Sequence, residues 1–90
     1  MQYPNIDLLN KCIGYAVAIL RNNQCMTGKQ LGISIGVSQQ QISRYETGFT
    51  SMKMDTCYLI LQTLQVSTNE FLSLVDQLYV NNSSNFSDDM

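Results

Sequence analysis

Gly32 and Gly36, with Val37-Ser38 directly after them, constrain this chain more than any other feature. Two short helices joined by a tight turn pack only if the residue at their crossing is small and the turn residue tolerates a left-handed backbone. Gly32 supplies the close approach and Gly36 the turn, while Val37, Ile42 and Tyr45 supply apolar contacts beneath it. The first of these helices starts at Thr27 as N-cap and runs to about Ile35, closed by Gly36. The second opens at Ser38 and ends at Gly48. Ser38-Gln-Gln-Gln41 has the form of a capping box, so the Gln41 side chain is expected to fold back onto the Ser38 amide.

Three further helices frame this pair, and no stretch reads as a strand. One precedes it, from about Ile6 to Asn22, with Asn5 as N-cap and Asp7 complementing the dipole. Its core stripe is Ile6, Leu9, Ile13, Val17 and Leu20. A fourth helix spans about Met52 to Leu64, with Met54, Cys57, Leu61 and Leu64 on one side. The fifth begins at Ser67 or Thr68 behind a second capping box, Ser67-Thr-Asn-Glu70, and carries Phe71, Leu72, Val75 and Leu78. The expected fold is therefore all-α, one five-helix domain over residues 1–80. The polar stretch 81–90 reads as a flexible tail.

The chain has 90 residues, 44% of them apolar, enough for one modest core. No run approaches the ~20 apolar residues of a membrane span, and the first residues lack the basic-then-apolar order of a secretory signal. The expectation is a cytoplasmic protein with no membrane partner. Cys12, Cys25 and Cys57 are odd in number and widely spaced, which fits neither a metal site nor a disulfide scaffold. They read as small apolar residues in a reducing compartment, with a redox switch as the sharper alternative. With no histidine and no phosphate-cradling glycine loop, the chain is not expected to be an enzyme, and no cofactor or metal is expected.

The net charge of −2 hides an uneven distribution. Between Arg21 and Lys53 stand four cations, Arg21, Lys29, Arg44 and Lys53, against the single anion Glu46. Outside that window Lys11 stands alone against six carboxylates. A local positive face on an acidic protein can still track phosphates. With Ile42 and Tyr45 inward, the helical step places Gln40, Ser43, Arg44 and Thr47 outward and Gln39 at the exposed amino end. Glutamine amides offer a paired donor and acceptor suited to adenine edges, and a guanidinium suits guanine or phosphate. The amino end of this helix, with the Ser38 and Gln39 amides, suits a phosphate. Each has a plainer reading: the glutamines as a solvated helix start, Arg44 as a partner for Glu46. Glu46 itself reads as a structural bridge back to a helix end.

Thr27 to Glu46, and more loosely Ile13 to Leu72, resembles the Cro and phage-repressor type of helix-turn-helix regulator, whose members read roughly L-T-Q-x-x-L-A-x-x-x-G-V-S-x-x-x-I-S-x-x-E-x-G. The matching stretch is Met26-Thr27 through Leu31, Gly36-Val37-Ser38, Ile42-Ser43-Arg44-Tyr45-Glu46 and Gly48. Downstream, Met54-Asp55-Thr56 and Leu64-Gln65-Val66-Ser67 resemble the fourth helix and its exit. The stretch Gln39 to Glu46, in a small acidic chain, also looks like the regulators encoded within bacterial fimbrial operons.

The resemblance implies a five-helix lambda-repressor-like domain that binds double-stranded operator DNA as a homodimer, its third helix in the major groove. It makes Gln39, Gln40, Ser43 and Arg44 base-facing candidates. Thr27, Lys29, Ser38, Thr50 and Lys53 become phosphate candidates. Gly28 departs from the pattern, standing where the family has a glutamine that touches a phosphate and braces the third helix. The first and fifth helices carry more apolar residues than one face needs, so Tyr15, Ile19, Leu74, Leu78 and Tyr79 are the expected dimer interface. The competing class is the antitoxin half of a toxin–antitoxin pair, a DNA-binding module with a protein partner.

Overall fold

The computed structural model describes residues 5–87, with side chains as far as residue 83. Among the described residues there are five helices and no strand: α1 (Ile6–Asn23), α2 (Gly28–Ile35), α3 (Gln39–Glu46), α4 (Met54–Leu64) and α5 (Thr68–Ser87).

Local chemistry sets where these helices begin. Asn5 Oδ1 accepts from the Leu8 amide at 3.1 Å and caps α1. At α2 the Thr27 hydroxyl accepts from the Gln30 amide at 3.0 Å, and Gln30 Oε1 accepts from the Thr27 amide at 2.8 Å. A complete capping box thus forms at Thr27, where none was expected. At α3 only half of the expected box forms: Ser38 Oγ accepts from the Gln41 amide at 3.0 Å, without a return bond from the Gln41 side chain. Ser67 likewise accepts from the Glu70 amide at 3.1 Å. α4 starts at Met54, two residues later than expected, because Lys53 is its N-cap and offers no side-chain acceptor.

Eleven apolar side chains form one core: Cys12, Ala16, Val17 and Leu20 from α1, Leu31, Ile42, the α4 trio Ile60, Leu61 and Leu64, and Phe71 and Val75 from α5. Leu31, Ile42, Ile60, Leu64 and Val17 are fully buried, each contributing about 1.5–3 kcal/mol of transfer free energy. Three residues expected in the core are exposed, Ile6, Met54 and Leu72. Ile6 and Met54 are the first residues of their helices and face solvent there. The buried face of α5 is instead set by Phe71 and Val75, four residues apart, which turns Leu72 outward. In α1 the stripe is wider than expected. Gly14 docks against the end of α3, and Cys12 and Ala16 beside it turn inward with Val17 and Leu20.

α5 stays helical through Ser87, so residues 81–87 of the stretch read as tail belong to it, while 88–90 lie outside the described residues. No glycine or proline interrupts that stretch, and the Asn82 amide donates back to the Leu78 carbonyl at 2.7 Å. All three cysteines are free: Cys12 buried, Cys57 half-buried, Cys25 exposed. Burial pushes the Cys12 and Cys57 thiols up from their ordinary range, which disfavours the reactive thiolate. No described helix is long and apolar enough to cross a membrane.

Candidate nucleic-acid interface

α2 and α3 pack closely because Gly32 has no side chain. A Cβ there would sit 2.6 Å from the Val37 carbonyl oxygen, nearer than atoms can approach. Gly36 ends α2 at φ 82° and turns the chain, with its own amide and that of Val37 both donating to the Gly32 carbonyl. Beneath the turn Ile42 is 1% exposed, and Val37 and Tyr45 pack against the core half-buried.

This anchoring decides what α3 presents. Gln39, Gln40, Ser43, Arg44 and Thr47 are exposed, and only Gln41 of the three glutamines is half-buried. Thr47 bonds back to the Ser43 carbonyl at 3.0 Å and so spends its hydroxyl proton on the helix. Gln39, Gln40, Ser43 and Arg44 make no side-chain hydrogen bond to any described residue. Two amides, a hydroxyl and a guanidinium are therefore open on one rigid surface, the donor and acceptor set that base edges require.

The phosphate candidates surround that surface less uniformly. Thr27 and Ser38 are exposed N-caps whose hydroxyls accept from the helix and keep their protons to donate elsewhere. Lys29 and Lys53 are exposed, and Thr50 is half-buried with its amide on the Arg44 carbonyl at 3.2 Å. Where the family glutamine would stand, a Cβ on Gly28 would lie 3.6 Å from Ile42 Cγ2 and 3.9 Å from Gln39 Cγ. Those are ordinary contacts, so the start of α2 lies over the first turn of α3 with room for a side chain.

One ion pair organises the back of this unit. Glu46, at the last turn of α3, accepts from Arg21 Nε at 2.7 Å and Nη2 at 2.9 Å. Arg21 Nη1 also donates to the Met26 carbonyl at 2.7 Å, so one guanidinium ties the end of α1, the approach to α2 and the end of α3. Hydrogen bonding and Coulomb attraction from Glu46 raise the Arg21 pKa, with partial desolvation opposing. Glu46 thus bridges back to a helix end, as expected, and Arg44 is left unpaired. Arg21 and Glu46 thus neutralise each other within the positive window between Arg21 and Lys53, which leaves Lys29, Arg44 and Lys53 as its cations.

Sequence reasoning passed over Gly14. A Cβ on it would fall 2.1 Å from the Tyr45 carbonyl oxygen and 2.8 Å from that of Glu46. α1 therefore crosses the end of α3 at backbone contact, a meeting that no local pattern announces.

The expected dimer residues divide. Tyr15 is exposed, whereas Ile19, Leu74, Leu78 and Tyr79 are half-buried, the last three against their own core. The Tyr79 hydroxyl accepts from the Asn5 amide at 2.8 Å. Beside it, Leu9, Leu72, Val75, Asp76 and Tyr79 line an open groove of about 540 Å³ between α1 and α5.

The sequence model of the helix-turn-helix family matches residues 17–71, well over half of the chain and all of α2, α3 and α4. No curated protein and no solved structure matches the chain significantly.

Proposed function

This chain belongs to the Cro and phage-repressor type of helix-turn-helix family, a family of DNA-binding transcriptional regulators, and on that premise we propose that it acts as a homodimer on a pseudo-palindromic operator. In this reading α3 enters the major groove, Gln39, Gln40, Ser43 and Arg44 meet base edges, and Thr27, Lys29, Ser38, Thr50 and Lys53 hold phosphates. The observation that carries it is the open polar face of α3, fixed from behind by Ile42, Gly32 and the Arg21–Glu46 pair. The likeness of Gln39 to Glu46 to fimbrial-operon regulators points to fimbrial or motility genes as the targets.

The homodimer rests on apolar surface that one chain leaves uncovered. Leu72 and Val80 on α5 and Tyr15 on α1 are exposed, and Leu9, Leu72 and Tyr79 border the groove. A second copy seated on α1 and α5 would cover this surface and set the two α3 helices about one DNA turn apart, ~34 Å. Leu78 and Tyr79 hold the chain's own helices together, so Leu72→Asp with Val80→Asp is the cleaner disruption.

A binding titration against salt, paired with sedimentation, tests the reading. Few cations face the duplex, so the log–log slope for a dimer is expected at roughly −3 to −6. The Asp variants are expected to sediment as monomers and bind more weakly. A slope near zero, or a wild type that is monomeric at tens of micromolar, would contradict the contact with phosphates or the dimer respectively.

A further inference from the structure

The apolar residues that α5 leaves uncovered or half-covered share one face. Leu72, Tyr79 and Val80 recur at i, i+7 and i+8, the spacing of a single helix stripe, and Asp76 at i+4 falls in the middle of it. Leu72 and Val80 are 60% and 52% exposed, Asp76 is exposed between them, and Tyr79 is half-buried. Asp76 also lines the groove between α1 and α5, together with Leu72 and Tyr79. A partner that covers these apolar side chains therefore covers the carboxylate as well.

Among the described residues, nothing around Asp76 offsets its charge. Leu9, Asn69, Leu72, Ser73, Val75 and Tyr79, which line the groove with it, are uncharged. Tyr79 alone of them ionises, and its hydroxyl accepts from the Asn5 amide at 2.8 Å. Asp76 makes no ion pair or side-chain hydrogen bond with any described residue. The charged residues of α1 on either side of Leu9, Asp7 and Lys11, do not line the groove. Asp7 has the same sign as Asp76. Lys11 is two residues, about 200°, around α1 from Leu9. Its stem lies on the Gly48 turn, where a Cβ would be 2.8 Å from Lys11 Cγ. Glu70 on α5, and Asp55 on α4, which also packs against α5, lie outside the groove and are likewise anionic.

Resting on the reading that a second copy seats on α1 and α5, we propose that Asp76 makes the dimer acid-responsive: the interface closes on the protonated carboxyl, so assembly strengthens as pH falls. A two-fold interface is self-complementary, so each copy meets the same patch on the other. The surface that faces Asp76 across the interface is then as free of cations as the one around it. An ionised carboxylate taken out of water without a counter-charge is costly, and it takes up a proton instead. The sign follows from proton linkage. The dimer binds more protons than two separate copies, so lowering the pH favours the dimer and raising it favours monomers. A duplex carrying two half-sites holds the dimer, so operator binding tightens with it on acidification.

The test measures the dimer dissociation constant by sedimentation equilibrium from about pH 7.5 to about pH 5.5, for wild type, Asp76→Asn and Glu70→Gln. Uptake of one proton per dimer is expected to tighten the wild type about tenfold for each pH unit. Asp76→Asn keeps the shape of the side chain without its charge. It is expected to dimerise at least about tenfold more tightly than wild type at neutral pH, with no response to pH. Glu70→Gln, the same loss of charge on α5 away from the groove, is expected to keep the wild-type response and sets the size of any general repulsion between acidic copies. Thermal melting establishes that each variant is folded at both ends of the range. A wild type that dimerises equally at both ends overturns the role of Asp76 and leaves the dimer standing. So does an Asp76→Asn variant that dimerises more weakly than wild type or keeps the pH response. Wild type and Asp76→Asn both monomeric across the range at tens of micromolar overturns the homodimer itself, and the switch with it.

Discussion

Replacing Glu46 by Gln is expected to unfold this domain far more readily than a surface substitution would. The Glu46 and Arg21 side chains are 12% and 14% exposed, so water can replace little of what is lost. Glutamine keeps one acceptor but turns an amide toward the second guanidinium nitrogen, and the half-buried Arg21 loses its counter-charge. A hydrogen bond to a charged group is worth about 1.5–3 kcal/mol, and an uncompensated cation adds to the loss. The expected cost is about 2–3 kcal/mol out of the ~5–10 kcal/mol available to a domain this small. Because 1 kcal/mol corresponds to about 4–8 °C at this size, Tm should fall by roughly 10–20 °C. Urea denaturation followed by circular dichroism measures the difference. Arg21→Met removes the stranded charge, so the double variant should lose at least about 1 kcal/mol less than the two single losses added together. A loss below about 0.5 kcal/mol in Glu46→Gln would refute the reasoning, since the pair would then behave like one in open solvent.

The glycines should separate cleanly by environment. Gly14→Ala forces a methyl onto the Tyr45 carbonyl and should cost at least about 2 kcal/mol in the same urea assay, whereas Gly28→Ala meets only ordinary contacts and should be neutral or stabilising by about 0.5 kcal/mol. A thiol reagent at neutral pH should label Cys25 first, the half-buried Cys57 more slowly, and Cys12 only when the domain opens, which mass spectrometry of the labelled peptides would read; early labelling of Cys12 would contradict its burial.

What the sequence made legible was what adjacent residues decide among themselves. Thr27, Ser38, Asn5 and the two glycines of the α2–α3 unit each act within a few residues, so caps, turn and the outward face of α3 could be read directly. Periodicity gave the direction of a helix face but not how far a neighbouring helix reaches along it. Ile6 and Met54 therefore stand in solvent although they begin apolar stripes. The polar stretch after Val80 was read from composition, while the absence of a helix breaker decided its structure to Ser87. The contacts that shape the back of the site were not legible because they join distant segments. Glu46 signalled a bridge, but its nearest cation in sequence, Arg44, is not its partner. Gly14 acquires its role only once α1 is laid across the end of α3.

The most direct test of the central claim is a selection from random duplex DNA with the wild type, Gln40→Ala and Arg44→Ala in parallel. The side chains altered are exposed, and their removal should leave the fold intact. The wild type should enrich two inverted half-sites spaced about 10 base pairs centre to centre. Each variant should lose preference at its own base position, a change of ~1–3 kcal/mol in discrimination, while the other positions keep theirs. Wild-type enrichment of no motif, or variants that enrich the wild-type motif unchanged, would contradict the claim that α3 reads DNA.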